Sequence, residues 1–293
     1  MRIKKVSVLG AGLMGKQIAL LVAKSGYSVM SYTRSRETLE KAKQYIDESL
    51  DKSVRKGKLS EQEITEIKER IVFTNDLEQA CESTDLVIEC IVENEEAKKN
   101  ILHKADQITP KHVIYATNSS YIVSSRLKES VSDPSNLLNL HVFNPASAMK
   151  VAEVVKGPHV SDETFETVCE FAETIGKTPI RVEKEIYGFV VNRIFSALTK
   201  EACQLVDQGV ASIEDIDRAV KGGLGHAMGP LETLDMTGID LEYDVYMERF
   251  RKSGDPADRP AACLVERWAR GEYGRKAGKG FYDYEEEDSE RNR

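Results

Sequence analysis

Short apolar runs alternate with stretches of helical period through the first part of the chain. Residues 5–9 (KVSVL) stand directly before glycines and read as a buried strand. A helix is expected from Leu13 to about Ser25, stopped by Gly26, and a second strand over 28–32. Over 37–69, Leu39, Ala42, Ile46 and Leu50 recur at helical spacing. The pattern breaks at Gly57 and resumes after Ser60, which can form a capping box with Glu63. This predicts an inserted helical hairpin. Further strands are expected at 71–74, 85–91, 113–117, 137–143, 151–155 and 179–182, with helical patterns between most of them. Strands alternating with helices imply an α/β domain, a mostly parallel sheet covered on both faces.

After Gly188 the texture changes. Residues 190–208, 212–221, 230–251 and 260–270 read as helices with almost no strand signal. Ser212 with Asp215 makes a capping pattern, and Gly222-Gly223 is expected to stop that helix. The boundary is placed near 187, giving a domain over 1–187 and an all-α domain over 188–293. The closing EEEDSERNR is a charge run without an apolar anchor and is expected to fray.

Composition narrows the function classes. The 293 residues suit two domains, and 41% hydrophobic residues are enough for cores in both. A net charge of -8 argues against a nucleic-acid or membrane-surface partner, while leaving room for an anionic ligand at a local positive site. The five cysteines (81, 90, 169, 203, 263) are scattered and include no C-x-x-C. Neither a disulfide framework nor a metal site is expected. No signal-peptide core is visible, and the apolar run 18–23 is far too short to span a bilayer. A reduced, soluble, cytoplasmic protein is expected.

Gly10-Ala-Gly12-Leu13-Met14-Gly15 follows a strand and opens a helix. Glycines at these places serve a tight turn, close approach of backbone to a pyrophosphate, and close helix–strand packing. The N–H groups at the helix start, with Leu13 and Met14, then face the anion. This makes the first domain Rossmann-type and the cofactor NAD or NADP. Eighteen residues after Gly15, where an acidic residue would bond the ribose 2′-hydroxyl, stands Thr33, followed by Arg34, Ser35 and Arg36. A threonine does not repel a 2′-phosphate, and the arginines can bond one. The local chemistry leans to NADP; the alternative is that Arg34 and Arg36 only begin a solvated helix.

Several separate blocks then appear in order: VIECIVENEEAKKNI, NSS (118–120), LHVFNPASAMKVAEVVKG (140–157), GFVVNRI (188–194), EDIDRAVKGGLGHAMGPLETLDMTGID (214–240) and GRKAGKGFYDY (274–284). Together they resemble the 3-hydroxyacyl-CoA dehydrogenases over nearly the whole chain, especially the short single-function 3-hydroxybutyryl-CoA dehydrogenases. An attached enoyl-CoA hydratase domain is not expected, so a multifunctional enzyme is not implied.

The resemblance implies hydride transfer between NAD(P) and C3 of an acyl-CoA, with NAD the usual cofactor. Such chemistry needs a base for the hydroxyl proton, and histidine suits it. His141 lies at the end of a predicted strand, and Glu153 stands in the apolar strand VAEVV, where a carboxylate needs a partner. The resemblance pairs the two. It implies that Ser119, ahead of Ser120, and Asn192 hold the substrate oxygens. Asn192, Ser196 and Thr199 form a polar stripe on an otherwise apolar helix, which faces solvent or a site. Asn144 and Lys150 are given positioning roles. Glu93 and Lys98 match a family pair beside the nicotinamide; alone they would read as an exposed charge pair. Arg275, Lys276 and Lys279 are read as a solvated loop. Homodimerisation through the second domain is implied. Tyr187, Ala227 and the segment Ala146-Ser147-Ala148 stand where the family has prolines, which bears on the substrate more than on the reaction. Two rivals are a dehydrogenase of free β-hydroxyacids, which would carry a catalytic lysine on the first helix of the second domain, and a catalytically silent nucleotide-binding relative. Asn192 argues against the first and the retained His141, Glu153, Ser119 and Asn192 against the second.

Overall fold

The computed structural model describes residues 3–284, so the charged tail after Tyr284 lies outside the described residues. The chain divides into two compact units, one ending at Val190 and the other beginning at Val191.

In the first unit the elements run β1 (Lys5–Leu9), α1 (Leu13–Lys24), β2 (Ser28–Tyr32), α2 (Arg36–Arg55), α3 (Glu61–Glu69), β3 (Ile71–Thr74), α4 (Leu77–Cys81), β4 (Leu86–Glu89), α5 (Glu95–Asp106), β5 (Ile114–Thr117), β6 (Leu137–Val142), β7 (Val151–Val155), α6 (Asp162–Thr174) and β8 (Thr178–Val182). They form one eight-stranded sheet in the order β3-β2-β1-β4-β5-β6-β7-β8. The order reverses between β1 and β4, which is where such sheets take ligands at the carboxyl ends of their strands. Every pairing is parallel except β6 with β7. The connection 143–150 is too short for a crossover helix, so β7 must return antiparallel. That return sets His141 directly opposite Glu153 in the register.

The strands are apolar because both sheet faces are covered. Val6, Val8, Ile88, Leu138 and Leu140 belong to the larger core; Leu9, Val87, Tyr115 and Leu137 belong to the other. The hairpin α2–α3 buries Leu39, Ala42, Ile46, Leu50, Ile64 and Ile67. Ser60 and Glu63 close their capping box as expected. The first unit runs past 187 because Phe189 is buried with Val155 and Val182, and the Val190 N–H donates to Glu153 Oε1 at 2.9 Å.

Among its described residues the second unit is built of helices, α7 (Val191–Asp207), α8 (Ile213–Leu224), α9 (Pro230–Thr237), α10 (Ile239–Ser253) and α11 (Ala262–Arg270), closed by two isolated β-bridges, Gly274 with Lys279 and Lys279 with Asp283. Two expectations are corrected. Helix α8 passes through Gly222-Gly223 and stops at Gly225 (φ 71°), the residue that takes the left-handed turn. The helix expected over 230–251 is two helices, broken at Gly238, whose φ of 109° no helix accommodates. The closing block is structural. Buried Asp235 accepts the N–H groups of Phe281 (2.8 Å) and Tyr282 (2.9 Å) and the Tyr284 hydroxyl (3.0 Å). Lys276 pairs with Asp240 at 2.6 Å on the surface. Among the described residues no helix is long and apolar enough to cross a membrane.

Candidate active site

The glycine turn joins β1 to α1. A side chain at Gly10 (φ 108°) would place Cβ 2.7 Å from the Cys90 carbonyl oxygen, and one at Gly15 would collide with the Gly10 carbonyl oxygen. Both must be bare for α1 to start this close to the sheet. Above Gly12 there is open space, and α1 begins with no side-chain cap and no acidic residue in its first turn. The N–H groups at this helix start, where Leu13 is exposed and Met14 half-buried, suit the anionic pyrophosphate of a dinucleotide.

At the end of β2, Thr33 is buried. Its N–H donates to the Thr74 carbonyl at 3.2 Å and its carbonyl accepts from Asn75 Nδ2 at 2.5 Å. Arg34 and Arg36 are exposed and pair with no carboxylate among the described residues. Ser35 also caps α2, its hydroxyl oxygen accepting the Thr38 N–H at 3.2 Å. Arg34, Arg36 and the Ser35 O–H, which the cap leaves undonated, are the phosphate donors beside Thr33.

The candidate catalytic side chains of this unit gather at the carboxyl ends of β4, β5 and β6. His141 is buried near the end of β6. Its Nδ1 is 2.9 Å from Glu153 Oε2 and its Nε2 is 3.0 Å from Ser120 Oγ. Glu153 is fully buried. With its carboxylate accepting from Nδ1–H, the free lone pair sits on Nε2, the atom facing the serine. The ring is flanked by Phe143 and Phe189, centroids 4.4 and 5.7 Å away. Phe189 carries φ 46°, the one positive φ among the described non-glycine residues, and a bulky residue there is strained by about 1–2 kcal/mol. Its packing over the histidine holds that conformation.

Ser120, not Ser119, meets the histidine. Ser119 is buried, donates to Glu93 and accepts the Ile122 N–H at 2.7 Å, so its hydroxyl is consumed in turning the loop. Glu93 and Lys98 are together, at 3.3 Å, but Lys98 is no exposed cation. It is 1% exposed and its ammonium sits 2.8 Å from both oxygens of Glu89, which is itself fully buried. Burial pushes this ammonium down; the charges of Glu89 and Glu93 and the bonds to Glu89 outweigh it and hold its pKa above the ordinary value. Glu89 went unread in the sequence although it carries the signal that marked Glu153, a lone carboxylate in an apolar strand. Asn144 accepts from Gln17 of α1 at 3.0 Å, which ties the loop after β6 to the glycine helix. Lys150 is exposed.

In the second unit, Asn192 is half-buried on α7. The rest of its stripe is turned inward. Ser196 and Thr199 are buried, the Tyr246 hydroxyl donates to the Ser196 carbonyl at 2.6 Å, and Ser196 Oγ lies 3.4 Å from Glu242. Ile194, on the face expected to pack, is 65% exposed.

The whole chain has recognisable counterparts. Residues 5–186 match the family described as 3-hydroxyacyl-CoA dehydrogenase, NAD binding domain, and residues 188–284 its C-terminal domain. A probable 3-hydroxybutyryl-CoA dehydrogenase of Bacillus subtilis is 37% identical over 289 residues, covering 99% of this chain and 100% of the relative. Human mitochondrial hydroxyacyl-coenzyme A dehydrogenase is 35% identical over 288 residues, covering 96% of this chain and 91% of the human one. The crystal structure of (S)-3-hydroxybutyryl-CoA dehydrogenase from Ralstonia eutropha superposes with a TM-score of 0.91 at 36% identity, covering 97% of this chain and 99% of that one. With both family models matched in chain order and relatives of 35–37% identity matched over nearly their full length, the chain belongs to the 3-hydroxyacyl-CoA dehydrogenase family.

Proposed function

We propose that the chain interconverts short-chain 3-hydroxyacyl-CoA and 3-ketoacyl-CoA, with His141 exchanging the hydroxyl proton. One observation carries the assignment: His141 is held by a buried carboxylate on one ring nitrogen and presents the other to a serine hydroxyl. In the oxidative direction Nε2 takes the proton from the substrate hydroxyl. Glu153 then faces an imidazolium, keeps its ring orientation and offsets its charge. Ser120 replaces Ser119 as the serine that holds the substrate oxygen, and Asn192 is the second holder. Bound NAD(P) supplies the hydride acceptor or donor for C3. Gly10, Gly12 and Gly15 with the start of α1 would hold its pyrophosphate, and Thr33 and Arg34 its adenosine end. The exposed arginines and the missing acidic residue support NADP over NAD. Glu93 and Lys98 are assigned to the nicotinamide side.

Homodimerisation through the helical unit belongs to the same reading. Its support is the exposed apolar set Ile194, Leu224, Met236 and Leu241. The test is a reduction assay with acetoacetyl-CoA and longer 3-ketoacyl-CoA thioesters, set against the free acids, with each reduced cofactor. His141→Gln should lower kcat by about two to four decades with dinucleotide affinity unchanged. Near-normal turnover would eliminate this base, and activity on the free acids alone would eliminate the CoA substrate.

A further inference from the structure

The serine loop after β5 is held from beneath by a buried network that lies outside the catalytic pair. Glu89 ends β4, and its register partner on β5 is Thr117. The Thr117 hydroxyl donates to Glu89 Oε2 at 2.6 Å and accepts the Ser119 N–H at 3.3 Å. The Asn118 N–H donates to the Glu89 carbonyl at 2.9 Å. The other Glu89 oxygen takes the Ile91 N–H at 2.6 Å, and both oxygens bind Lys98. Lys98 then reaches Glu93, which accepts from the Ser119 hydroxyl and from the Tyr121 N–H at 3.3 Å. Ser119 is therefore gripped at its N–H through Thr117 and at its hydroxyl through Glu93, and both grips lead back to one carboxylate. Ser120 is thus held between two fixed neighbours, Ser119 and Tyr121, whose N–H donates to Glu93.

We infer that Glu89, acting through Thr117 and Lys98, is a positioning residue that sets Ser120 against His141 Nε2. The physical need is clear. A serine that orients the substrate oxygen must be placed within tenths of an ångström, and a surface loop does not supply that unless a buried group fixes its backbone. A fully buried carboxylate would be costly if its only purpose were to fill the strand end; here every acceptor direction is used. The inference rests on the proposed roles of His141 and Ser120.

The experiment uses Thr117→Val, which keeps shape and burial and leaves the Glu89–Lys98 pair intact. It should lower kcat about tenfold while the KM for the dinucleotide stays within twofold, and Thr117→Ser should restore kcat. The decisive arm is the Ser120→Ala background. If Thr117 acts through Ser120, adding Thr117→Val to Ser120→Ala lowers kcat no further. Multiplicative losses in the double variant, or equal damage from Thr117→Ser and Thr117→Val, would overturn the positioning role and leave the reading of Ser120 standing. Wild-type kcat in Ser120→Ala alone would overturn both, and His141→Gln then shows separately whether the base survives.

Discussion

Replacing Glu153 by Gln isolates what the buried carboxylate does for the base. The side chain keeps its volume, and its amide oxygen can still accept the Val190 N–H now bound to Oε1 at 2.9 Å. The amide nitrogen is then left facing His141 Nδ1, where Oε2 now stands at 2.9 Å. Two consequences follow. The imidazolium loses its counter-charge. Unit charges about 4 Å apart at an effective dielectric near 20 attract by roughly 4 kcal/mol, about three decades in rate if the full charge develops. The amide N–H also makes Nδ1 an acceptor, so the ring proton moves to Nε2 and blocks the atom that must take the substrate proton. Both effects act in one direction, and kcat should fall by about three decades in oxidation and reduction alike. Nicotinamide absorbance follows the rate, and a thermal melt confirms that the variant remains folded. A loss of less than about tenfold in a folded variant would refute the pairing as a catalytic device and leave Glu153 a structural acceptor for Val190.

Four further outcomes are expected. The wild-type enzyme should show a higher kcat/KM with NADPH than with NADH, and Thr33→Asp combined with Arg34→Ile should reverse the preference; equal or better use of NADH by the wild type refutes the reading of Arg34. Asn192→Ala should cut turnover of 3-ketoacyl-CoA about tenfold, the worth of one hydrogen bond to substrate, without lowering the melting temperature; a large drop in melting temperature would make Asn192 structural. Gly12→Ala should raise the dinucleotide Kd about tenfold with the melt unchanged because only open space lies above it, whereas Gly10→Ala should lower the melt through its clash with Cys90; equal melts for the two would contradict the packing. Burial lifts the Glu242 carboxyl from its ordinary 4.5 to about 7. A group raised on folding contributes fully below its unfolded value and loses that contribution as pH rises to the folded one, here about 3 kcal/mol in all. Glu242→Gln should flatten the decline in stability between pH ~5 and ~7, and an unaltered slope would show that Glu242 stays charged.

Period and punctuation were enough to read most of the architecture. Each βα unit is local: a strand's apolar run, a glycine turn and a helix's spacing lie within a few dozen residues, so the alternation spells a parallel sheet, and Ser60 with Glu63 announces its cap. The pairing of His141 with Glu153 was implied by the family resemblance; by themselves a histidine at a strand end and a carboxylate in an apolar strand announce only that each needs a partner. The sequence could not say which of two adjacent serines faces the ring. One residue of rotation in a loop decides that, and it depends on Glu93 and Ile122, which compete for Ser119 from outside the motif. Nor could it show that Lys98 is buried, since a charged helix start looks the same whether its lysine meets water or a second carboxylate on a neighbouring strand. The inward turn of Ser196 and Thr199 was hidden for the same reason. Amphipathic pattern predicts the buried face only when the partner is apolar, and here α10 offers Glu242 and Tyr246. What is local in the chain was determined by the sequence itself; which polar group is satisfied by which other was decided only when distant strands and helices came together.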